Sequence, residues 1–120
     1  MHIAYYLGGL TTIKYATNSG GTWAVQELKD SYAGTQGKHT SITVDSNDDI
    51  HISYYKESST YSALKIIQNI NGIWNDYTID EEGNDNGTGK YSSIDIDSRN
   101  RLHISYYCDN GSNLRYAFQE

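Results

Sequence analysis

The chain has 120 residues, a formal net charge of −6, nine basic side chains, one cysteine and no proline. That length gives one small domain, and a lone Cys108 excludes an internal disulfide and a cysteine-rich zinc site. So few basic side chains argue against a nucleic-acid-binding surface, and no apolar run approaches the roughly 20 residues of a membrane-spanning helix. Met1 leads straight into a patterned segment without a leader-like stretch. The sequence thus predicts a cytoplasmic protein, or an extracellular one if the chain is a fragment.

Ten short segments rich in Ile, Val, Thr and Tyr follow one another, bounded by Gly, Asn, Asp or Ser. This composition favours strands joined by tight turns, and no segment keeps apolar residues at helical spacing. The fold is therefore predicted to be all-β. In chain order the predicted strands cover 2–6, 12–17, 23–28, 40–45, 50–55, 63–68, 74–79, 91–97, 102–107 and 113–118.

The segments recur at a period of about 50 residues. His-Ile-Ala-Tyr-Tyr at 2–6 returns as His-Ile-Ser-Tyr-Tyr at 51–55 and 103–107, and the stretch 37–46 returns at 89–98. Several segments that recur in one order indicate an internal repeat.

One repeat unit contains four predicted strands, here called A to D in their order within the unit. The chain then runs B-C-D, A-B-C-D, A-B-C, with units 2–50 and 51–102 and a partial unit 103–120 in a single domain. If the A–B turns have two residues, Val44 lies opposite His51, and Ile96 lies opposite His103. Neither face of strand B is cleanly polar, which predicts that the sheets are covered on both sides.

Two segments between the predicted C and D strands end in Trp. The first, from Ala16 to Trp23, includes Asn18 and Gly20; the second, from Ile67 to Trp74, includes Asn69. With the repeat, these segments resemble the Asp-box turns (Ser-x-Asp-x-Gly-x-Thr-Trp) of BNR-type, sialidase-like β-propellers. The resemblance implies structural turns remote from any active site, at Asn18, Gly20, Trp23, Asn69 and Trp74. An amide side chain would cap the turn, Gly would allow a positive φ, and Trp would bury a large apolar area.

The number of strands is too small for a closed ring. A propeller needs at least four blades of four antiparallel strands, whereas this chain supplies about two and a half. Since both ends leave unpaired strand edges, we expect a homo-oligomer, a dimer, to complete the ring. A fragment of a longer propeller and a monomeric sandwich are the alternatives.

The candidate ligand-binding residues lie in the three B strands. Tyr stacks on sugar faces and offers a hydroxyl, so one Tyr of each pair favours a carbohydrate or another polar small ligand. The repeated histidines suggest a metal site, but each lies in a patterned strand without a second ligand at fixed spacing. A structural role is therefore favoured, and no metal or cofactor is predicted. The candidates are His2, Tyr6, His51, Tyr55, His103 and Tyr107.

Other polar clusters give weaker indications of a binding site. The acidic stretch 80–87 is absent from the first unit and reads as a solvated loop rather than a calcium site. Asp45 and Asp97 read as turn-capping carboxylates.

No catalytic set emerges. The resemblance implies a sialidase-type site with three arginines from different blades, but Arg99, Arg101 and Arg115 lie within one short stretch. The favoured function is a non-catalytic binding or interaction module. The alternatives are a glycosidase-like enzyme whose site is assembled between chains and a purely structural module.

Overall fold

The computed structural model describes residues 1–9, 12–29, 35–83 and 87–120. Within these residues the chain forms strands and no helix, and thus no helix that is long and apolar enough to cross a membrane. The strands are β1 (His2–Leu7), β2 (Thr12–Thr17), β3 (Ala24–Leu28), β4 (Thr35–Val44), β5 (Ile50–Glu57), β6 (Tyr61–Ile70), β7 (Ile73–Gly83), β8 (Lys90–Ile96), β9 (Leu102–Cys108) and β10 (Asn113–Phe118). Each predicted segment overlaps one of them in order, so the all-β prediction is confirmed.

The strands form three antiparallel sheets of neighbours in sequence. The first sheet has the order β1-β2-β3, the middle sheet β4-β5-β6-β7 and the last sheet β10-β9-β8. None of the three is closed within the described residues. Strand β4 lies against β1 on one side and against β8 on the other, so the first strands of successive sheets follow one edge of the molecule.

The first contact between sheets joins the first sheet to the middle one. Ile52 and Tyr54 of β5 pack with Ile13 and Tyr15 of β2 in one buried cluster. Ile52 has no exposed surface, and burial of one such side chain stabilises a fold by about 2 kcal/mol.

The second contact joins the opposite face of the middle sheet to the last sheet. Leu64 and Ile66 of β6 pack there with Ile94 of β8 and Ile104 of β9. Strand β5 is therefore buried on both faces, as expected, whereas β1 and β9 are covered on one face only. Among the described residues no further sheet packs on the far sides of β1 and β9, so the predicted cover on both faces is not found for the outer sheets of one chain.

The predicted register of the A–B hairpins is wrong by one residue. His51 lies opposite Thr43 and not Val44, and His103 lies opposite Asp95 and not Ile96. The loops contain three residues instead of two, which shifts the strand pairing. Asp48 and Asn100 occupy the third loop position with positive φ, a conformation that Asn and Asp tolerate better than most residues.

The carboxylate at the start of each loop fixes this geometry. Asp45 Oδ1 accepts hydrogen bonds from the backbone N–H groups of Asn47 at 2.8 Å and Asp49 at 3.1 Å. Asp97 makes the same two contacts with Arg99 and Arg101, at 2.8 and 3.1 Å. The prediction that Asp45 and Asp97 cap turns is confirmed.

The acidic stretch departs from its predicted loop form. Residues 80–83 belong to β7, while 84–86 lie outside the described residues. Arg115 binds Asp80 at 2.9 Å and Glu82 at 2.6 Å, and the Tyr106 hydroxyl donates to Asp80 at 2.7 Å. Burial and the Asp80 carboxylate raise the pKa of Tyr106 above its usual range. These carboxylates serve an ion-paired link between the middle and last sheets.

Candidate functional site

Two strands at the seam between the middle and last sheets carry the same irregularity. The segment Gly37-Lys38-His39 lies in β4 and the segment Gly89-Lys90-Tyr91 lies at the start of β8, and the strand register shifts at both. His39 and Tyr91 have φ values of 54° and 52°, in a region that residues other than Gly rarely enter. Such bulges redirect side chains and are frequent beside functional sites.

Hydrogen bonds between the two sheets fix these bulges. Ser92 Oγ of β8 lies 2.9 Å from Ser53 Oγ of β5 and donates to the carbonyl oxygen of His39 at 3.0 Å. The backbone N–H of Ile94 donates to Ser41 Oγ at 3.1 Å. The seam is therefore held by small hydroxyl side chains, which let β4 and β8 approach closely.

Aromatic rings gather at the end of this seam. The His39 ring lies 4.3 Å from the Tyr91 ring and 5.9 Å from the Tyr55 ring, and Tyr91 lies 6.3 Å from Tyr107. Tyr55 is buried beneath them, whereas Tyr91 is 68% exposed. Neighbouring rings are tilted by 54° to one another, and the exposed Tyr91 ring of this cluster is open to solvent. We call the surface formed by Lys38, His39, Lys90, Tyr91 and Tyr107 the seam patch.

Ion pairs border the seam patch. Lys38 Nζ lies 2.6 Å from Glu57 Oε1, and the Tyr55 hydroxyl donates to the other oxygen of Glu57 at 3.0 Å. Lys90 makes the corresponding pair with Asp109 and stands 5.7 Å from the Tyr55 ring centroid. Two cations and two carboxylates therefore balance in charge and offer both donors and acceptors.

The electrostatics keep His39 uncharged near neutral pH. Its pKa is lowered from the usual 6.5 mainly by burial, with further contributions from the positive charges of Lys90 and Lys38. The carboxylate partners raise the pKa of both lysines, so these stay protonated. Together with the bordering carboxylates of Glu57 and Asp109, the seam patch thus has no net charge at pH 7.

The sequence-predicted tyrosines divide between exposed and buried places. Tyr55 and Tyr107 belong to the aromatic cluster, with Tyr107 half-buried and Tyr55 enclosed. Tyr6 is half-buried on the face of the first sheet that meets the middle sheet. The structure brings together two of the three predicted positions.

The predicted histidines lie at the other end of their strands, four residues and about 13 Å away from the tyrosines. His51 is buried, with Nε2 3.0 Å from Asp45 Oδ2 and Nδ1 2.7 Å from the Gln68 amide nitrogen. Both of its ring nitrogens are therefore engaged in structural contacts.

His2 and His103 each form a hydrogen bond with a tyrosine hydroxyl. His2 Nδ1 lies 2.7 Å from the Tyr15 hydroxyl. His103 contacts the Tyr116 hydroxyl in the same way, and its Nε2 lies 3.2 Å from Asp97 Oδ2. The described residues contain no group of three or more His, Cys, Asp or Glu side chains that could hold a metal ion.

The predicted turn residues of the first Trp segment have mixed roles. Asn18 Oδ1 accepts a hydrogen bond from the amino group of Met1 at 2.8 Å, and its carbonyl accepts from Gly21 at 2.9 Å. The positive φ occurs at Gly21 and not at Gly20. Trp23 is 52% exposed, so the expected burial of its ring is not found within one chain.

The second Trp segment folds as a plain hairpin. Asn69 lies in β6 opposite Trp74, and the turn itself is made by Asn71 and Gly72, both with positive φ. Trp74 packs edge-on against Tyr15 of the first sheet at 5.3 Å between ring centroids. This residue is therefore part of the contact between sheets.

Apart from the seam patch, a cavity lies between the outer strands of the middle and last sheets. Its volume is about 470 Å³, and its lining is mainly apolar, including Ile66, Tyr77, Ile79, Leu102 and Phe118. It lies beside β10, which is an edge strand of the last sheet among the residues that the structure describes.

Comparisons with protein-family models, with curated proteins and with solved structures each found no match. The likeness to Asp-box propellers therefore rests on the sequence motifs alone and stays a prediction. Sequence reasoning missed His39, Tyr91 and the two lysines as site residues. The signal was present, because Gly-Lys followed by an aromatic or imidazole ring occurs at the same place in both repeats.

Proposed function

We propose that this chain is a non-catalytic binding module of the propeller type, which holds a neutral, hydroxyl-rich ligand such as a sugar ring on the seam patch. Three sheets packed face to face, with β4 and β8 side by side along one edge, support the propeller interpretation. In that interpretation each sheet is a blade or part of one.

The exposed ring of Tyr91 carries the ligand proposal. It projects from a bulge with positive φ, and His39 and Tyr107 stand beside it at 4.3 and 6.3 Å. Aromatic rings of this kind stack on the apolar face of a sugar at a small cost in conformational entropy. Tyr91 is exposed although its backbone has a strained, positive φ that the neighbouring strands hold in place. Such strain is typical of functional sites and is unusual for a side chain that only packs.

The polar border of the seam patch favours a neutral ligand. Sugar hydroxyls both donate and accept hydrogen bonds, which suits the Lys38–Glu57 and Lys90–Asp109 pairs. A charged ligand would meet one repulsive partner in each pair, and His39 adds no charge because its pKa is lowered.

Calorimetric titration with methyl glycosides tests the proposal. The panel should contain neutral hexosides and N-acetylhexosaminides, with a sialic acid glycoside and an amino sugar as charged counterparts. We expect dissociation constants of about 1 mM for at least one neutral sugar, typical of a single open stacking site. The charged sugars are expected to bind more weakly.

The decisive variant is Tyr91→Asn, since Asn tolerates the left-handed backbone at this position. We expect at least a tenfold loss of sugar affinity with an unchanged free energy of unfolding. Tyr77→Asn is the matched control, because Tyr77 is also exposed, at 51%, but lies on β7 outside the seam patch. Equal affinity in wild type and Tyr91→Asn, or no binding to any sugar, would refute the proposal.

A further inference from the structure

In the part of the chain that the structure describes, two large sheet faces are uncovered, one on the first sheet and one on the last. On the first sheet, Ile3, Tyr5 and Val25 are 42%, 38% and 59% exposed. On the last sheet, Leu114 and Tyr116 are 79% and 59% exposed. Contiguous exposed apolar side chains of this kind mark an interaction surface.

The faces are complementary because the chain already contains the contact that they would make. The face of the middle sheet that covers the first sheet carries Ile52 and Tyr54, which match Ile3 and Tyr5 in the sequence repeat. Ile52 and Tyr54 have no exposed surface, whereas Ile3 and Tyr5 are exposed to solvent. The uncovered face of the first sheet is thus of the type that packs onto a preceding sheet.

The open face of the last sheet resembles the face of the first sheet that the middle sheet covers. Tyr15, on the covered face of the first sheet, is held by His2 and receives the edge of Trp74. Tyr116, on the open face of the last sheet, is held by His103 in the same stacked arrangement, with 5.9 Å between ring centroids in both pairs. Tyr116 is itself 59% exposed.

Trp23 matches Trp74 in the sequence repeat and is 52% exposed. Trp23 directly precedes β3, and the alternation of side chains along that strand places it on the same open face as Val25. One chain therefore carries half of the Tyr–Trp contact at each end.

We infer that a second copy of this chain packs the open face of its first sheet onto the open face of the last sheet, head to tail. In this contact Trp23 of one copy lies edge-on against Tyr116 of the other, as Trp74 does against Tyr15. The contact joins different surfaces, so two copies close into a ring of six sheets when both such contacts form. The contact shares Tyr107 with the seam patch, because Tyr107 lies opposite Leu114 in the last sheet, whereas His39 and Tyr91 belong to β4 and β8.

Light scattering during size exclusion, with two complementary variants, tests this inference. Val25→Asp places a negative charge on the open apolar face of the first sheet. Leu114→Asp does the same on the last sheet and keeps the His103–Tyr116 pair. Both side chains are exposed, so neither change threatens the core. Ile73→Asp is the matched control, because Ile73 is 64% exposed but lies on the middle sheet.

We expect wild type and Ile73→Asp to have twice the monomer mass, and each of the two face variants alone to be monomeric, with self-affinity weakened at least about 30-fold. An equimolar mixture of Val25→Asp and Leu114→Asp should recover a one-to-one dimer, because one intact contact remains. A mixture that stays monomeric, or a face variant that still dimerises alone, would overturn the head-to-tail arrangement, as would a monomeric wild type.

Fluorescence gives an independent reading of the Trp23 contact. In the Trp74→Phe variant, Trp23 is the sole tryptophan. Its emission should move to shorter wavelength as the protein is concentrated, and Tyr116→Ala should abolish that movement. An emission maximum that does not change with concentration while the mass doubles would place Trp23 outside the interface and overturn the proposed pairing.

Discussion

Glycine 89 provides a sharp test of how the seam patch is built. It has a φ of 102°, and a Cβ added there would lie 2.6 Å from both the Cα and the nitrogen of Leu64, and 2.8 Å from the Ala63 carbonyl oxygen. These are backbone atoms of β6, which cannot move aside as a flexible side chain would. Gly89→Ala is therefore expected to combine backbone strain with a steric clash.

The two costs are separable by comparison with other glycines. Gly72 has a φ of 84° but open space around it, so Gly72→Ala measures the backbone strain alone, about 1 kcal/mol. Gly89→Ala adds overpacking of about 1–3 kcal/mol, which gives a total loss of about 3 kcal/mol. Gly20 has neither feature, so Gly20→Ala should leave stability unchanged or raise it by up to about 1 kcal/mol.

Equilibrium unfolding in urea, followed by tryptophan fluorescence at one protein concentration, measures all three variants. The expected order of stability is Gly20→Ala, then Gly72→Ala, then Gly89→Ala. A Gly89→Ala variant no less stable than Gly72→Ala would refute the close approach of β6 to the bulge, and with it the placement of Lys90 and Tyr91.

Two further predictions concern charge. Lys65 Nζ and Asp76 Oδ2 are 3.0 Å apart with side chains only 2% and 14% exposed, so Asp76→Ala should cost about 3 kcal/mol. Glu27→Ala removes the carboxylate that Lys14 and Lys29 share at a more exposed place, and it should cost clearly less. Equal losses in urea unfolding would contradict the difference in burial. The pKa of His39 is lowered in the folded state by burial, Lys90 and Lys38, so the unfolded chain binds more protons there and stability should fall as the pH drops below 6.5. His39→Gln should flatten that part of the stability curve, and an unchanged slope would contradict the lowered pKa.

Local composition explains why the strands were predictable from the sequence. Segments such as 51–55 alternate side chains between two faces, and β-branched or aromatic residues fit a pleated surface. Gly, Asn and Asp mark the turns between them. Since these signals depend only on near neighbours, they place ten strands without knowledge of the sheet packing.

The hairpin register was not predictable in the same way. Asn47 and Asp48 suit a two-residue turn, but Asp45 caps a three-residue loop and shifts His51 onto Thr43. The choice between a two-residue and a three-residue loop depends on hydrogen bonds from backbone groups to the Asp45 side chain. The same sequence allows either loop, so the residue types alone do not decide it. One residue of loop length was enough to change the cross-strand neighbour of each histidine.

Of the seam patch only Tyr107 was predicted from the sequence, because the backbone geometry of His39 and Tyr91 does not follow from their residue types. His39 and Tyr91 have positive φ although neither is Gly, Asn or Asp, and the sheet contacts around Ser53 and Ser92 hold them there. Asp45 and Gln68 engage both ring nitrogens of His51, and this follows from the hairpin and sheet pairing rather than from the residue type.

The most direct test of the binding proposal is a two-dimensional NMR titration of the labelled protein with the neutral glycosides. We predict that the amide signals of His39, Tyr91 and Tyr107 shift together and saturate with one dissociation constant, while those of Ile73 and Tyr77 stay in place. Shifts confined to the apolar cavity around Tyr77 and Ile79, or no shift at any residue, would contradict a sugar-binding seam patch.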